Sequence, residues 1–103
     1  PEPGSISAVW AAWDDPALGA LQAIEAAGRE GEGIVIVGID ATPQARDAIA
    51  RGSNFEATIA QNFPAIAQTV ADLVGVYLAG GEISQTVYYV PTVLITAANA
   101  ASE

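Results

Sequence analysis

"GIVIVGIDATPQA", residues 33–45, decides the fold. Ile34, Val35, Ile36, Val37 and Ile39 form a nearly continuous apolar run, as in a strand buried within a parallel sheet. Asp40 ends it. The residues that follow supply their own helix start: Thr42 can cap, and Pro43 can take the first helical position. The helix has no need of Asp40 as its cap, so a carboxylate stands at the strand end without evident structural work.

Outward from this stretch the pattern repeats. "ISAVWAAW" (6–13) is strand-like and leads into "DDPALGALQAIEAAG" (14–28), where Leu18, Leu21, Ile24 and Ala27 recur at helical spacing. Asp15 before Pro16 reads as N-cap and first helical residue, and Gly28 as the stop. "TPQARDAIARG" (42–52) predicts a short helix with Ala45, Ala48 and Ile49 inward and Gly52 as its stop. "FEATIAQ" (55–61) precedes "NFPAIAQTVADLVGVYLAGG" (62–81), whose Ile66, Val70, Leu73, Val74, Tyr77 and Leu78 form a wide apolar stripe. "TVYYV" (86–90) and "TVLIT" (92–96) read as two short strands kinked at Pro91, and the tail from 97 is weakly patterned. "GREGEG" (28–33) precedes a strand and lacks the spacing of a phosphate cradle, so it reads as a loop.

Strand–helix alternation with apolar strands predicts an α/β fold, a parallel sheet covered on both faces. Trp10, inside the first strand, is expected in the core. Ligands of such sheets bind beyond the carboxyl ends of the strands. The three ends read "AAW-DDP", "VGI-DATP" and "IAQ-NFP", which brings Trp13, Asp40 and Gln61 to one rim. Each has a plainer reading: Asp40 as a turn residue, Gln61 bonding loop backbone, Trp13 as packing. Asp14 and Asp15 do not make a metal site, because a cap role for Asp15 leaves one spare carboxylate.

Composition narrows the function classes. The 103 residues suffice for one small domain, and half are apolar. Twelve acidic residues against three arginines (Arg29, Arg46, Arg51) give a charge of −9, which excludes a basic nucleic-acid-binding surface. Without cysteine or histidine there is no thiolate or imidazole for a zinc site or for common hydrolytic chemistry. The reading is therefore not an enzyme, with no metal and no cofactor. No apolar run approaches the ~20 residues of a membrane span. "PEPGSIS" lacks the features of a secretory leader, which fits a cytosolic chain, a mature secreted one or a piece of something longer.

"ISAVWAAWDDPALGALQAIEAAG", "VIVGIDATPQARDAIARG", "ATIAQNF" and "VYYVPTVLIT" together resemble the C-terminal part of the ribose-binding-protein-like periplasmic receptors of ABC importers. The resemblance runs from Ile6 to about Thr96. It implies two α/β lobes closing on a sugar or polyol, a membrane permease as partner and a periplasmic or extracellular, lipoprotein-anchored location. The family's strand-end Asp, which accepts sugar hydroxyls, matches Asp40, and the Gln ending the "ATIAQ" strand matches Gln61. The family's Asn in its "A-Q-N-D" motif falls on Trp13, and its Asp on Asp14. Trp13 thus replaces an amide with an indole, which favours contact with a sugar C–H face or a deoxy or methylated polyol. Ala41 replaces the usual Gly.

The same resemblance implies an incomplete lobe. Residues 1–61 would belong to the C-terminal lobe, 62–90 would cross the hinge and belong with the N-terminal lobe, and 91–103 would return. The apolar stripe on helix 62–80 then lacks a partner in this chain, and the remaining N-terminal part of the receptor is the expected one. The alternative is the effector-binding domain of a lactose-repressor-type transcription regulator, which shares the two-lobe fold. A nucleotide-binding or receiver-like domain is weaker still, having no phosphate loop or acidic cluster.

Overall fold

A computed structural model describes residues 2–102. The apolar run of the opening stretch is β2 (Val35–Ile39), flanked by β1 (Ala8–Trp10) and β3 (Phe55–Ala60), with β4 (Val93–Thr96) completing a sheet of order β1-β2-β3-β4. The first three strands are parallel, and β4 pairs antiparallel with β3 from Ala57↔Thr96 to Ala60↔Val93. Two helices connect the parallel strands: α1 (Asp14–Ala26) and α2 (Pro43–Ala50). A further helix, α3 (Phe63–Leu78), follows β3. The chain forms two compact units: the chain up to Ala60 together with the segment from Val93, and Gln61–Thr92.

In the first unit, the helix stops fall where the glycines predict them. Gly28 takes φ 64° and Gly52 φ 74°, a left-handed conformation that costs glycine least. Each closes its helix with a pair of crossed backbone bonds: Gly28 N–H to the Glu25 carbonyl with Arg29 N–H to Ile24, and Gly52 to Ile49 with Ser53 to Ala48. The core lies between the helices and one sheet face. Leu21, Ile36, Ile49 and Phe55 are fully buried there, with Ala17, Ala45 and Ala48 between them. Alanines let the helices approach closely, and Gly38 on β2 admits α1 more closely still. A Cβ at that position would meet Asp14 Oδ1 at 2.5 Å and Phe55 Cζ at 3.0 Å.

The expectation of a sheet covered on both faces is corrected. Right-handed crossovers taken in one direction, β1 to β2 to β3, put both helices on the same face. The opposite face carries Trp10, Val37, Ile39, Ala57, Ile59 and Leu94, and no helix of this unit covers it. Trp10 is corrected with it. Side chains alternate along a strand, so Val9 packs on the core and Trp10 points to the bare face, 71% exposed.

Two local expectations also change. The N-cap of α1 is Trp13 rather than Asp15, with extended backbone and no side-chain cap bond, and Asp14 opens the helix. Residues 86–90 form no strand. A β-prone segment needs a ladder partner, and none is offered to this one among the described residues. The tail from Ala97 is more ordered than its pattern suggested. Asn99 accepts the Thr96 N–H through Oδ1 at 2.8 Å and donates from Nδ2 to the Leu94 carbonyl at 3.0 Å, closing a turn that buries Ala100.

The second unit is built on α3. Asn62 caps it, accepting the Ala65 N–H at 3.2 Å. Ile66, Val70 and Leu73 line a groove with Tyr88, Tyr89 and Val90, yet no residue of α3 is buried. The apolar stripe is therefore open to solvent, as expected of a helix missing its partner; Tyr77 is 70% exposed.

Candidate functional site

Trp13 and Asp40 follow neighbouring parallel strands at their carboxyl ends. Asp40 comes directly after β2, and Trp13 lies three residues past β1, at the start of α1. Trp13 is 52% exposed, so its indole presents a face to solvent rather than filling the core. Gln61 is the first residue beyond β3 and begins the second unit. Thr42 accepts the Ala45 N–H and caps α2, as its position before Pro43 predicts. The cap of that helix is Thr42, not Asp40.

The backbone at this strand end is unusual. Asp40 has φ 116° and Ala41 φ 56°, the only positive values among described non-glycine residues. A Cβ in this region crowds the backbone, and such residues persist only where the surroundings fix them. A glycine after Asp40 would relieve one of them; here Ala41 adopts the left-handed conformation regardless.

Three consecutive amides show what holds it. Asp40 N–H donates to the Ile59 carbonyl at 2.8 Å, extending the β2–β3 ladder by one bond. Ala41 N–H donates to Thr58 Oγ1 at 3.3 Å, and Thr42 N–H donates to Asp14 Oδ2 at 2.8 Å. Thr58 in turn donates its hydroxyl to Asp14 Oδ1 at 2.6 Å. Asp14 is 0% and Thr58 1% exposed. A buried carboxylate must find donors, and this one takes two, at the N-terminal end of α1 where a negative charge is favoured. Arg46 adds a bond from Nε to the Ala41 carbonyl at 3.3 Å.

The sequence singles out Asp40 as a candidate contact and Thr42 as a cap; it names Asp14 only as a motif counterpart without a structural task, and it does not name Thr58. The signal for Asp14 was present: with Asp15 taken as the cap, Asp14 was left as a carboxylate without a task. Nothing in "FEATIAQ" singles out Thr58, because a threonine in a strand is ordinary. Among the described residues, no group of three or more His, Cys, Asp or Glu side chains is placed to hold a metal.

Comparison with known proteins adds family and relatives. A family described as periplasmic binding protein domain matches residues 1–82. A candidate rhizopine-binding protein of Rhizobium meliloti is 39% identical over 100 residues, covering 93% of this chain and 30% of that protein. The solved structure of an ABC transporter solute binding protein from Agrobacterium vitis, with bound allitol, is 36% identical with a TM-score of 0.84. The match covers 97% of this chain and 34% of that one. A Caulobacter myo-inositol binding protein bound to myo-inositol is 31% identical with a TM-score of 0.75, covering 91% and 31%. These relatives are binding proteins rather than enzymes, and the chain spans about a third of their length.

Proposed function

We propose a function on this premise: the chain belongs to the periplasmic binding protein domain family. In this reading it is the C-terminal part of an ABC-importer solute receptor, at work in the periplasm or outside the cell. Its ligand is a sugar or polyol, and its function is capture, without catalysis. Relatives described as binding allitol and myo-inositol support that ligand class over the effector of a transcription regulator.

The observation that carries the reading is Asp40. Its carboxylate follows the central strand on constrained backbone and is not the cap of α2. A carboxylate can accept two vicinal hydroxyls, each bond charge-assisted. Trp13 supplies an indole face suited to the apolar C–H side of a polyol, and Gln61 an amide that both donates and accepts. These three residues are the proposed solute contacts on this chain. Residues to Gln61 belong to one lobe, 62–90 to the hinge and the other lobe, and the segment from Pro91 to the return. The remaining N-terminal part of the receptor completes the cleft, and a membrane permease takes the closed form.

Titration calorimetry tests this. The receptor completed by its other lobe is expected to bind allitol or myo-inositol with a micromolar or tighter Kd and to ignore leucine. Binding leucine in preference to both polyols, or binding none of the three, overturns the assignment.

A further inference from the structure

The loop that carries Asp40 has two residues at positive φ, neither of them glycine, so something outside it must set its conformation. Local sequence does so only weakly: Asp tolerates positive φ better than most residues, but Ala41 does not, and such residues normally occur singly. The hydrogen bonds identify the agent. Two adjacent residues of β3, Thr58 and Ile59, take the amides of Ala41 and Asp40 in turn, and Asp14 takes the amide of Thr42. Thr58 and Asp14 are joined to each other by the 2.6 Å bond, deep in the core.

We propose that Asp14 and Thr58 are positioning residues, a buried pair that fixes the backbone of residues 40–42 and so the direction of the Asp40 carboxylate. This rests on the reading of Asp40 as a solute contact. Each group has a distinct task. Asp14 ties the start of α1 to the start of α2, so that Trp13 and Asp40 are set by one carboxylate on either side of it. Thr58 is both donor to Asp14 and acceptor for Ala41, so one hydroxyl joins the loop to Asp14 and to β3, beside the backbone bond from Asp40 to Ile59. Gly38 leaves the space: a Cβ there would come within 2.5 Å of Asp14 Oδ1.

Thr58→Val removes the hydroxyl at nearly constant shape, Thr58→Ser returns it, and Ile49→Val weakens the core away from the loop. The amide-to-Hα coupling of Asp40 in the native protein reports its φ. In the parent it should be small, as a φ near 116° requires. It should rise toward the averaged value in Thr58→Val, recover in Thr58→Ser and stay at the parent value in Ile49→Val. Should Thr58→Val not fold, Asp14→Asn carries the same measurement. An unchanged coupling in the hydroxyl-less variant, an equal change in Ile49→Val, or loss of the fold in both Thr58→Val and Asp14→Asn overturns the proposal.

Affinity separates the proposal from its premise. In the completed receptor, Thr58→Val is expected to weaken allitol binding about 10-fold, and to add nothing once Asp40 is alanine. If Asp40→Ala alone leaves allitol affinity intact, the premise fails while the coupling result still stands. If Asp40→Ala weakens binding and Thr58→Val does not, the positioning role fails and the premise stands.

Discussion

Asp40 and Gly38 lie two residues apart and yet act on different quantities, one on binding and the other on packing. Asp40 is a solute contact in the reading above, so Asp40→Ala should weaken polyol binding by at least ~10-fold, the loss of one charge-assisted bond of ~1.5–3 kcal/mol. It should cost little stability, because no core cavity opens and Thr42 still caps α2. Calorimetry and a melting curve on the same variant check both halves. Unchanged affinity with a fall of several degrees in Tm would make Asp40 structural. Gly38 behaves in the opposite manner. Its Cα lies under α1, and a methyl there would press on Asp14 Oδ1 and Phe55 Cζ. Gly38→Ala should lower stability by ~1–3 kcal/mol, the usual cost of overpacking, read as a shifted urea midpoint with unchanged slope.

At the scale of elements, caps and stops act alike in both units, but the faces they serve differ. Thr42 caps α2, which buries Ala45, Ala48 and Ile49, so Thr42→Ala should cost ~1 kcal/mol of the first unit's stability. Asn62 caps α3 by the same kind of bond, yet α3 buries nothing. Asn62→Ala should therefore fray α3 in circular dichroism while leaving the denaturation of the β-sheet unit within ~0.3 kcal/mol of the parent. Equal losses from both substitutions would mean that α3 supports the sheet. The contrast also explains residues 86–90. Their β-branched and aromatic pattern is a genuine strand signal, but a strand exists only with a neighbour to pair with.

Among the described residues, each unit exposes apolar side chains: the first around Trp10 and Leu94 on the sheet, the second along the stripe of α3. Patches of this kind drive association. Isolated, the 103-residue chain should sediment as species larger than its 10.5 kDa monomer. Replacing Val70 and Val74 on α3 with lysine should raise the monomer fraction. A parent that sediments as a clean monomer would show that these faces are satisfied within the chain.

The sequence by itself determined the order of helices and strands apart from residues 86–90, the cap at Thr42, and the stops at Gly28 and Gly52. Those features depend on residues within a few positions of one another, where periodicity and backbone preference act directly. The open stripe on α3 was legible too, because a helix with more apolar surface than the chain can cover announces itself. Only the tertiary structure decided which sheet face is covered, since that follows from crossover handedness and not from the apolar run of β2, which looks the same buried on one side or two. It also decided that Asp14 is the buried carboxylate and Trp10 the exposed indole. Asp14 meets Thr42 and Thr58 across 28 and 44 residues of chain. Bonds of that span are made by the packing of α1, α2 and β3 together, and no local stretch of sequence contains them.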